Sequence, residues 1–424
     1  MRYLIVGNSA AGIFAAETIR GLDQAGQIIM VSQEDNLPYS RCLTSYLLGQ
    51  EIPEQRIYIR NDNYYSETGI EFIGQNVEQV DARAKSVLLA NGEKLSYDKL
   101  LIATGSSPFT PPIDGSNLEG VFQLRTLEDA KKIADFVPNV KEAVVVGAGL
   151  VGLKGAHGLH ELGINVNVVE FAPQLMPLSL DSEAAGMVAG LLEKDGYRFY
   201  LNNKVVKILG EKNNNGGMTV SGVVLDSGEQ IACQLVLMAV GVRPNTALVR
   251  DSGVKVNKGI IVNDRMQTSV EDIYSAGDVA ETYDLLWDEN RINALWPMAT
   301  AQGIVAGCNM AGIERRYEGS MGLNSAVFCG VGVISAGILN LPDGEGQVFR
   351  AAEPQRNYYR KFILRDDRLV GMIMVGEIEG AGFLSALIRK RVKVNKTVVN
   401  QWLTDKISYQ GYFSEGIPMG KVGQ

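Results

Sequence analysis

The sequence has few residues of the kinds that build metal centres or disulfides. Its two histidines, His157 and His160, lie one helical turn apart, and with no third ligand evident we predict no metal site. The cysteines are widely spaced and form no C-x-x-C pair, so the chain encodes no disulfide framework, zinc knuckle or iron–sulfur cluster. Any redox centre must therefore be a bound cofactor or a single thiol. The cysteines are Cys42, Cys233, Cys308 and Cys329.

Net positive charge and long apolar runs are also absent. A formal net charge of −8 argues against a nucleic acid as partner, because nucleic-acid binding surfaces carry clustered positive charge. The longest apolar runs fall well short of the ~20 residues that span a membrane, and no secretion signal precedes the first strand at Arg2. We therefore expect a cytoplasmic protein that contacts no membrane. Its 424 residues predict about three domains.

What the sequence does contain is two fingerprints of the dinucleotide-binding form G-x-G-x-x-G. The first, Gly7–Gly12, follows the apolar residues 3–6, and the second, Gly147–Gly152, follows the apolar residues 143–146. A strand before the fingerprint and a helix after it are the context that supports a nucleotide site. The sequence therefore predicts that one chain holds two dinucleotides.

The acids that follow the fingerprints support this interpretation. Glu34 and Glu170 each lie about 20 residues beyond the last fingerprint glycine, which is the offset of a ribose-binding carboxylate. The glycines permit a tight turn and a close backbone approach to a pyrophosphate, which lies at the positive N-terminus of the helix. In the first copy Ser9 replaces the middle glycine, so the approach is less open and a hydroxyl is offered instead.

Strand-like and helix-like stretches alternate to about residue 320, which predicts an α/β protein with two doubly wound dinucleotide-binding domains. We place the first domain at residues 1–112 and 242–319 and the second at 113–241, because turn clusters separate them. Residues 320–424 are predicted to form a small α+β C-terminal domain with a hairpin over 361–373. The polar segment Lys212–Gly217 is predicted to be a hairpin tip without a function of its own.

Three further motifs occur in order: Ala103-Thr104-Gly105-Ser106, the link Gly241–Asn245, and Ala276-Gly277-Asp278. Together with the fingerprints they resemble the flavin-dependent pyridine nucleotide-disulfide oxidoreductase superfamily over nearly the whole chain. Residues 37–41 and 295–299, with the C-terminal hairpin, are most similar to NADH:rubredoxin reductase-like proteins and to the flavin module of nitrite reductase large subunits.

The resemblance implies FAD at the first fingerprint and NADH at the second. Glu170 is followed by residues 171–173, which offer no arginine for a 2′-phosphate, and this favours NADH over NADPH. The implied FAD-binding residues are Gly7, Ser9, Ala10, Ala11, Gly12, Glu34, Arg41, Cys42, Val77, Ala103, Thr104, Gly105, Asp278, Pro297, Met298 and Ala299. The implied NADH-binding residues are Gly147, Gly149, Leu150, Val151, Gly152, Glu170 and Gly241.

The resemblance also implies an enzyme that transfers hydride from NADH to FAD and passes electrons to an external acceptor, such as a small iron–sulfur protein or rubredoxin, with flow open in either direction. Relatives include dimers and monomers, so a homodimer stays open. Residues 389–396 carry a basic group that is either a docking site for an acidic carrier or a solvated charged face.

Cys42 leaves a second chemistry open. Cys42, Tyr46 and Gly49 keep the spacing of a redox-cysteine segment, while Tyr39-x-Arg41 fits the nitrite-reductase-like pattern equally well. The alternative function is therefore a Cys42-dependent CoA-disulfide or persulfide reductase, or an NADH oxidase. Ala10 stands where a peroxidase-type histidine is expected, which weakens that alternative.

Lys154 is a second candidate for a direct role in catalysis. Many relatives carry a glutamate at this position and a flavin-side lysine at the position of Tyr46. We hypothesise that Lys154 stabilises reduced flavin by its charge; the alternative is an exposed helix lysine.

Overall fold

The computed structural model describes residues 1–213, 216–342 and 344–407. The chain forms two compact units, one of residues 1–147, 151–169 and 203–320, and the other of residues 148–150, 170–202 and the described part of 321–424. The three-domain division of the sequence stays a prediction.

Residues 1–202 form a mixed α/β region, in which seven strands between residues 70 and 122 follow one another without an α-helix between them. The strands are β1 Arg2–Val6, β2 Gln27–Ser32, β3 Ile70–Gly74, β4 Val77–Asp81, β5 Ser86–Leu89, β6 Lys94–Ser96, β7 Lys99–Ile102, β8 Ser106–Pro108, β9 Val121–Phe122, β10 Glu142–Val146, β11 Asn165–Glu170 and β12 Arg198–Leu201. The α-helices are α1 Ala10–Leu22, α2 Thr44–Leu48, α3 Tyr64–Thr68, α4 Leu127–Phe136, α5 Leu150–Glu161 and α6 Ser182–Lys194.

Strands dominate the rest of the described chain. The strands are β13 Val205–Lys212, β14 Met218–Leu225, β15 Gln230–Ala232, β16 Leu235–Met238, β17 Val242–Pro244, β18 Ile260–Ile261, β19 Ile273–Ser275, β20 Ala280–Asp284, β21 Glu289–Arg291, β22 Leu323–Phe328, β23 Val331–Gly337, β24 Gln347–Glu353, β25 Tyr358–Arg365 and β26 Arg368–Val375. The α-helices are α7 Trp296–Met310, α8 Ala381–Arg389 and α9 Lys396–Gln401.

The first unit contains two parallel sheets, and their strands β1 and β10 lead into the two fingerprints. One has the order β19-β7-β1-β2-β3, and in the other β11-β10-β16-β9 are neighbours. Their strands read as continuous apolar runs because both faces are covered, and Leu4 and Ile29 in β1 and β2 have no exposed surface. Strand β19 pairs with β7, so the chain returns to the first sheet after β10–β16.

Helix α7 packs closely on α1, the helix of the first fingerprint. A Cβ on Gly303 would lie 2.2 Å from the Ala11 carbonyl oxygen, and one on Gly307 would lie 2.7 Å from that of Ala15. Only glycine lets the two backbones approach so closely. The middle and the C-terminal half of α7 are therefore fixed against the fingerprint helix.

The second unit contains the antiparallel sheet β22-β23-β26-β25-β24. The predicted hairpin is the pair β25 and β26, and Asp366 and Asp367 at its turn have φ of 53° and 55°. Positive φ at both central residues matches the right-handed twist of the flanking strands. In the first unit, the hairpin β13–β14 also forms, while residues 214 and 215 of its predicted tip lie outside the described residues.

Candidate active site

The first fingerprint makes a turn that admits no side chain at two of its positions. Gly7 has φ of 124°, and a Cβ on it would lie 2.1 Å from the Ala103 carbonyl oxygen. A Cβ on Gly12 would lie 1.9 Å from the Gly7 carbonyl oxygen. Strand β1, the turn and α1 are therefore held together by backbone contact at Gly7 and Gly12.

The start of α1 suits an anion. Ser9 is the N-cap residue in extended conformation, and its side chain makes no capping hydrogen bond. The first N–H groups of a helix have no partner within the helix, so the uncapped end of α1 offers N–H donors to a phosphate. Ala10 and Ala11 are buried at this turn. The donor set fits the pyrophosphate of a dinucleotide.

Glu34 follows β2, and two side chains hold its carboxylate. The Tyr39 hydroxyl donates to Glu34 Oε2 at 2.5 Å, and the Arg41 guanidinium forms an ion pair with Glu34 Oε1. Arg41 also donates to the Arg125 carbonyl oxygen at 3.2 Å. The proposed ribose acceptor is therefore fixed by its protein neighbours, and burial raises the pKa of Tyr39, which keeps the phenol a donor.

Thr104 and Gly105 lie where two motifs of the sequence meet. The Thr104 hydroxyl donates to the Asn245 carbonyl oxygen at 2.9 Å, and the Asn245 amide donates back to the Thr104 carbonyl at 3.0 Å. Strand β17, which follows Gly241, pairs with β8 beside them. These two hydrogen bonds join the Ala103–Ser106 motif to the Gly241–Asn245 link, and they occupy the hydroxyl of Thr104.

Asp278 forms an ion pair that the sequence analysis missed. The Arg125 guanidinium donates to Asp278 Oδ2 at 2.7 Å and to the Ser106 hydroxyl oxygen at 3.0 Å. Arg125 directly precedes Thr126, the N-cap of α4, so the local sequence signals a helix start rather than a site. Its Nε is buried without a hydrogen-bond partner, which leaves one donor at this corner unmatched by the protein.

The residues Pro297, Met298 and Ala299 form the first turn of α7. Leu295 is the N-cap and supplies no side-chain hydrogen bond. The Ala299 N–H donates to the Leu295 carbonyl oxygen at 2.9 Å. Like α1, helix α7 therefore begins without a side-chain cap, and its positive N-terminus can face a negative group. Val77 is placed differently, since it lies buried in the core at the start of β4.

Cys42 lies in a short 3-10 helix, Arg41–Leu43, and is exposed. Desolvation by the surrounding protein atoms raises the pKa of its thiol, and the carboxylate of Asp278 raises it further. The hydrogen bond with Ser40 lowers this pKa but does not cancel the rise. The thiol is therefore protonated at neutral pH in the protein alone.

The second fingerprint has the same closed turn and a more open middle. Gly147 has φ of 104°, and a Cβ on Gly152 would lie 2.0 Å from the Gly147 carbonyl oxygen. A Cβ on Gly149, by contrast, would meet no atom within 4 Å. The space beside Gly149 gives a pyrophosphate the backbone approach that this position permits.

Glu170 ends β11 and is held by backbone donors. The N–H of Ala148 donates to Glu170 Oε2 at 2.6 Å, and the N–H of Ala172 donates to Oε1 at 2.8 Å. A carboxylate oxygen can accept more than one hydrogen bond, so both oxygens keep capacity for ribose hydroxyls. Leu150 begins α5, and Val151 beside it is 54% exposed.

One face of α5 packs on the segment that follows Cys42. The Lys154 ammonium donates to the Tyr46 hydroxyl oxygen at 3.0 Å and lies 4.8 Å from the centre of its ring. His157 Nε2 lies 3.2 Å from a carboxylate oxygen of Glu51. A Cβ on Gly158 would lie 2.7 Å from the Ser45 carbonyl oxygen. The two positions that depart from the family pattern, 46 and 154, therefore contact each other.

No group of three or more metal-ligating side chains occurs in the described part of the chain. Among the same residues, no helix is long and apolar enough to cross a membrane.

Comparison with known proteins gives the family. The sequence profile described as pyridine nucleotide-disulphide oxidoreductase matches residues 1–303, and that of the rubredoxin NAD+ reductase C-terminal domain matches residues 324–392. The chain belongs to the pyridine nucleotide-disulphide oxidoreductase family. Family membership confirms the predicted FAD and NAD(H) cofactors and an NADH-dependent flavin enzyme.

Individual relatives of this oxidoreductase are similar over most of its length. It is 34% identical over 395 residues to the NADH-dependent phenylglyoxylate dehydrogenase subunit epsilon of Aromatoleum evansii, with 92% of each chain covered. It is also 34% identical to the nitrite reductase [NAD(P)H] of Bacillus subtilis, but spans only 48% of that relative. The solved ferredoxin reductase of the CYP199A2 system from Rhodopseudomonas palustris superposes with a TM-score of 0.86 at 26% identity, covering 95% of this chain and 98% of that one.

Proposed function

We propose that this oxidoreductase carries electrons between NADH and a small iron–sulfur protein or rubredoxin. The observation that carries the proposal is the joint presence of two fingerprint turns and a C-terminal region matching the rubredoxin NAD+ reductase C-terminal domain. The names of the relatives support it, since one is a ferredoxin reductase and another is a subunit of an NADH-dependent dehydrogenase. Such a module passes electrons onward, in either direction.

The residues of the first fingerprint are proposed to hold FAD. The N–H groups at the start of α1, with the Ser9 hydroxyl, bind the pyrophosphate, and Glu34 binds the adenosine ribose. Arg125 pairs with Asp278, which is proposed to bind the ribityl chain, while Gly105 would leave room for the ring. The uncapped start of α7 would stabilise the negative charge that reduced flavin carries. When bound, FAD supplies the hydride and electron-transfer chemistry.

The residues of the second fingerprint are proposed to hold NADH. Gly149 lets the backbone approach the pyrophosphate, and Glu170 accepts from the ribose hydroxyls. The carboxylate of Glu170 repels a 2′-phosphate, because two negative groups would meet in a site without a compensating arginine at 171–173. This favours NADH over NADPH.

The experiment that tests the function is an anaerobic titration of the holoenzyme with NADH, followed by addition of rubredoxin. We expect NADH to bleach the flavin and rubredoxin to restore its absorbance. The control is buffer without an electron acceptor. If neither rubredoxin nor a plant-type ferredoxin reoxidises the flavin faster than this buffer does, the proposed acceptor class is wrong.

The same titration separates the alternative that uses Cys42. A flavin-only enzyme accepts one pair of electrons per FAD, whereas an enzyme with an oxidised Cys42 accepts a second pair. The raised pKa of Cys42 favours the flavin-only enzyme, because a thiol that stays protonated is a poor nucleophile. The Cys42→Ser variant is the matched control and should give an unchanged electron count.

The acceptor is proposed to dock on a basic group in the C-terminal region. Lys390, Arg391, Lys393 and Lys396 are exposed, and residues 380–404 contain no acid in a chain whose net charge is −8. Charge of this sign favours an acidic partner and speeds its association at low salt. Lys390→Glu with Lys393→Glu should slow rubredoxin reduction while leaving ferricyanide reduction unchanged, and equal slowing of both acceptors would contradict docking here.

We also propose a cytoplasmic enzyme, which the four free thiols support, and a homodimer. Cell fractionation and light scattering test these two points.

A further inference from the structure

Gln302 is a buried amide in a place where apolar packing is expected. It lies in α7, is 2% exposed, and is next to Gly303, where α7 meets the fingerprint helix α1. A buried amide costs free energy unless its polar atoms have partners. The partners of Gln302 therefore indicate why this position carries an amide.

The acceptor atom of Gln302 holds the turn before Asp278. The Gly277 N–H donates to Gln302 Oε1 at 2.8 Å. Gly277 has φ of 82° and follows β19, whose pairing with β7 ends at Ser275. Because the chain leaves the sheet here, the N–H of Gly277 takes its partner from α7 rather than from a strand.

The donor end of Gln302 points to other polar side chains. Its Nε2 lies 3.4 Å from Thr282 Oγ1 and 3.5 Å from the Tyr317 hydroxyl oxygen. These contacts are longer than the one with Gly277, so the bond to the turn is the strong one.

We propose that Gln302 is a positioning residue for FAD, which fixes the Gly277–Asp278 turn to the helix pair α1 and α7. Three parts of the proposed FAD site, the start of α1, the start of α7 and the carboxylate of Asp278, then move as one body. The inference rests on the proposed FAD site. It assigns to Gln302 no contact with FAD and no role in electron transfer.

The test measures the FAD dissociation constant of the purified holoenzyme by ultrafiltration and its unfolding by circular dichroism. Gln302→Met keeps the size of the side chain and removes the acceptor, and we expect FAD binding to weaken about tenfold. Gln302→Glu restores an acceptor for the Gly277 N–H, and we expect FAD binding within about threefold of the wild type.

Asn309→Leu is the matched control in the same helix. The Asn309 amide donates to the carbonyl oxygens of Val305 and Arg315, away from the Asp278 turn. We expect this variant to unfold more easily and to bind FAD normally. Equal weakening of FAD binding in Asn309→Leu and Gln302→Met would overturn the inference, because both residues would then act through stability alone.

Two further results decide the remaining cases. If Gln302→Met is not recovered as folded protein, Gln302→Glu still decides, since FAD binding weakened about tenfold in that variant overturns the inference. Asp278→Asn separates this inference from the proposed site. Normal FAD binding in Asp278→Asn contradicts the assignment of Asp278, whereas weak binding there with normal binding in Gln302→Met contradicts only the role of Gln302.

Discussion

The two fingerprint turns have similar backbone conformations but differ in how the acid that follows each of them is held. In the first, Glu34 is held by the side chains of Tyr39 and Arg41. In the second, Glu170 is held by two backbone N–H groups, and the space beside Gly149 is open. This difference agrees with the proposed assignment of FAD, a permanently bound group, to the first turn and of NADH, which must leave after each turnover, to the second.

Replacing the last glycine of each fingerprint by alanine should have the largest effect and should show which site binds which cofactor. Gly12→Ala places a Cβ about 2 Å from a carbonyl oxygen of its own turn, and so does Gly152→Ala. We expect Gly12→Ala to be purified without FAD, and Gly152→Ala to keep its flavin absorbance but lose reduction by NADH. A Gly152→Ala protein without flavin would contradict the separation of the sites.

The two acids should give the next largest effect. Glu170→Gln weakens hydrogen bonds to the ribose, and we expect KM for NADH to rise about tenfold and the preference over NADPH to shrink. Steady-state kinetics with both nucleotides measures this. Glu34→Gln is the paired control and should weaken FAD binding at an unchanged KM for NADH. A catalytic efficiency with NADPH equal to that with NADH in the wild type would show that the role given to Glu170 is wrong.

Lys154 tests whether charge on α5 acts on the flavin of the other site. Lys154→Met removes the ammonium that Tyr46 holds, and we expect the two-electron reduction equilibrium to shift about tenfold toward oxidised flavin, or about 30 mV. Spectroscopic redox titration measures the shift. Lys132→Met removes an exposed lysine of α4 as control. An unchanged potential in Lys154→Met would leave Lys154 as a packing residue.

Cys42 gives a pH-dependent prediction for the first site. Because its pKa is raised, the thiol stays protonated at neutral pH and becomes a thiolate only in more alkaline solution than an ordinary cysteine. Labelling of Cys42 by iodoacetamide, followed by mass spectrometry, should therefore be slow at neutral pH and rise with pH. Cys329, whose pKa is raised to about 11, should react more slowly still. Rapid, pH-independent labelling of Cys42 at neutral pH would instead favour the thiol-dependent alternative.

Substitution of Gly149, the middle glycine of the second fingerprint, should give the smallest effect. A Cβ at Gly149 would meet no atom within 4 Å, so for Gly149→Ser we expect a free energy of unfolding within about 0.5 kcal/mol of the wild type. Its KM for NADH should rise modestly, because the backbone approach is less open. A large loss of stability in Gly149→Ser would contradict the open space that distinguishes the second turn.

Local motifs in the sequence were enough to predict the alternating α/β fold, both fingerprint turns and the C-terminal hairpin. Each of these depends on residues a few positions apart, as at Gly7 and Gly12. Arg125 was missed because a residue before a helix cap carries no local mark of a partner, and its carboxylate, Asp278, lies 153 residues away along the chain. The sequence shows that Lys154 and Tyr46 depart from the family pattern, but it does not show that the two side chains contact each other.

Short stretches of consecutive residues specify that the chain binds two dinucleotides, because a strand, a glycine turn and a helix N-terminus together form a phosphate site. The packing of distant elements sets how the acids are held, which arginine meets Asp278, and that Gln302 binds the Gly277 turn. These contacts join residues from different elements. Their partners follow from how helices and sheets pack, which no local pattern of residue types encodes.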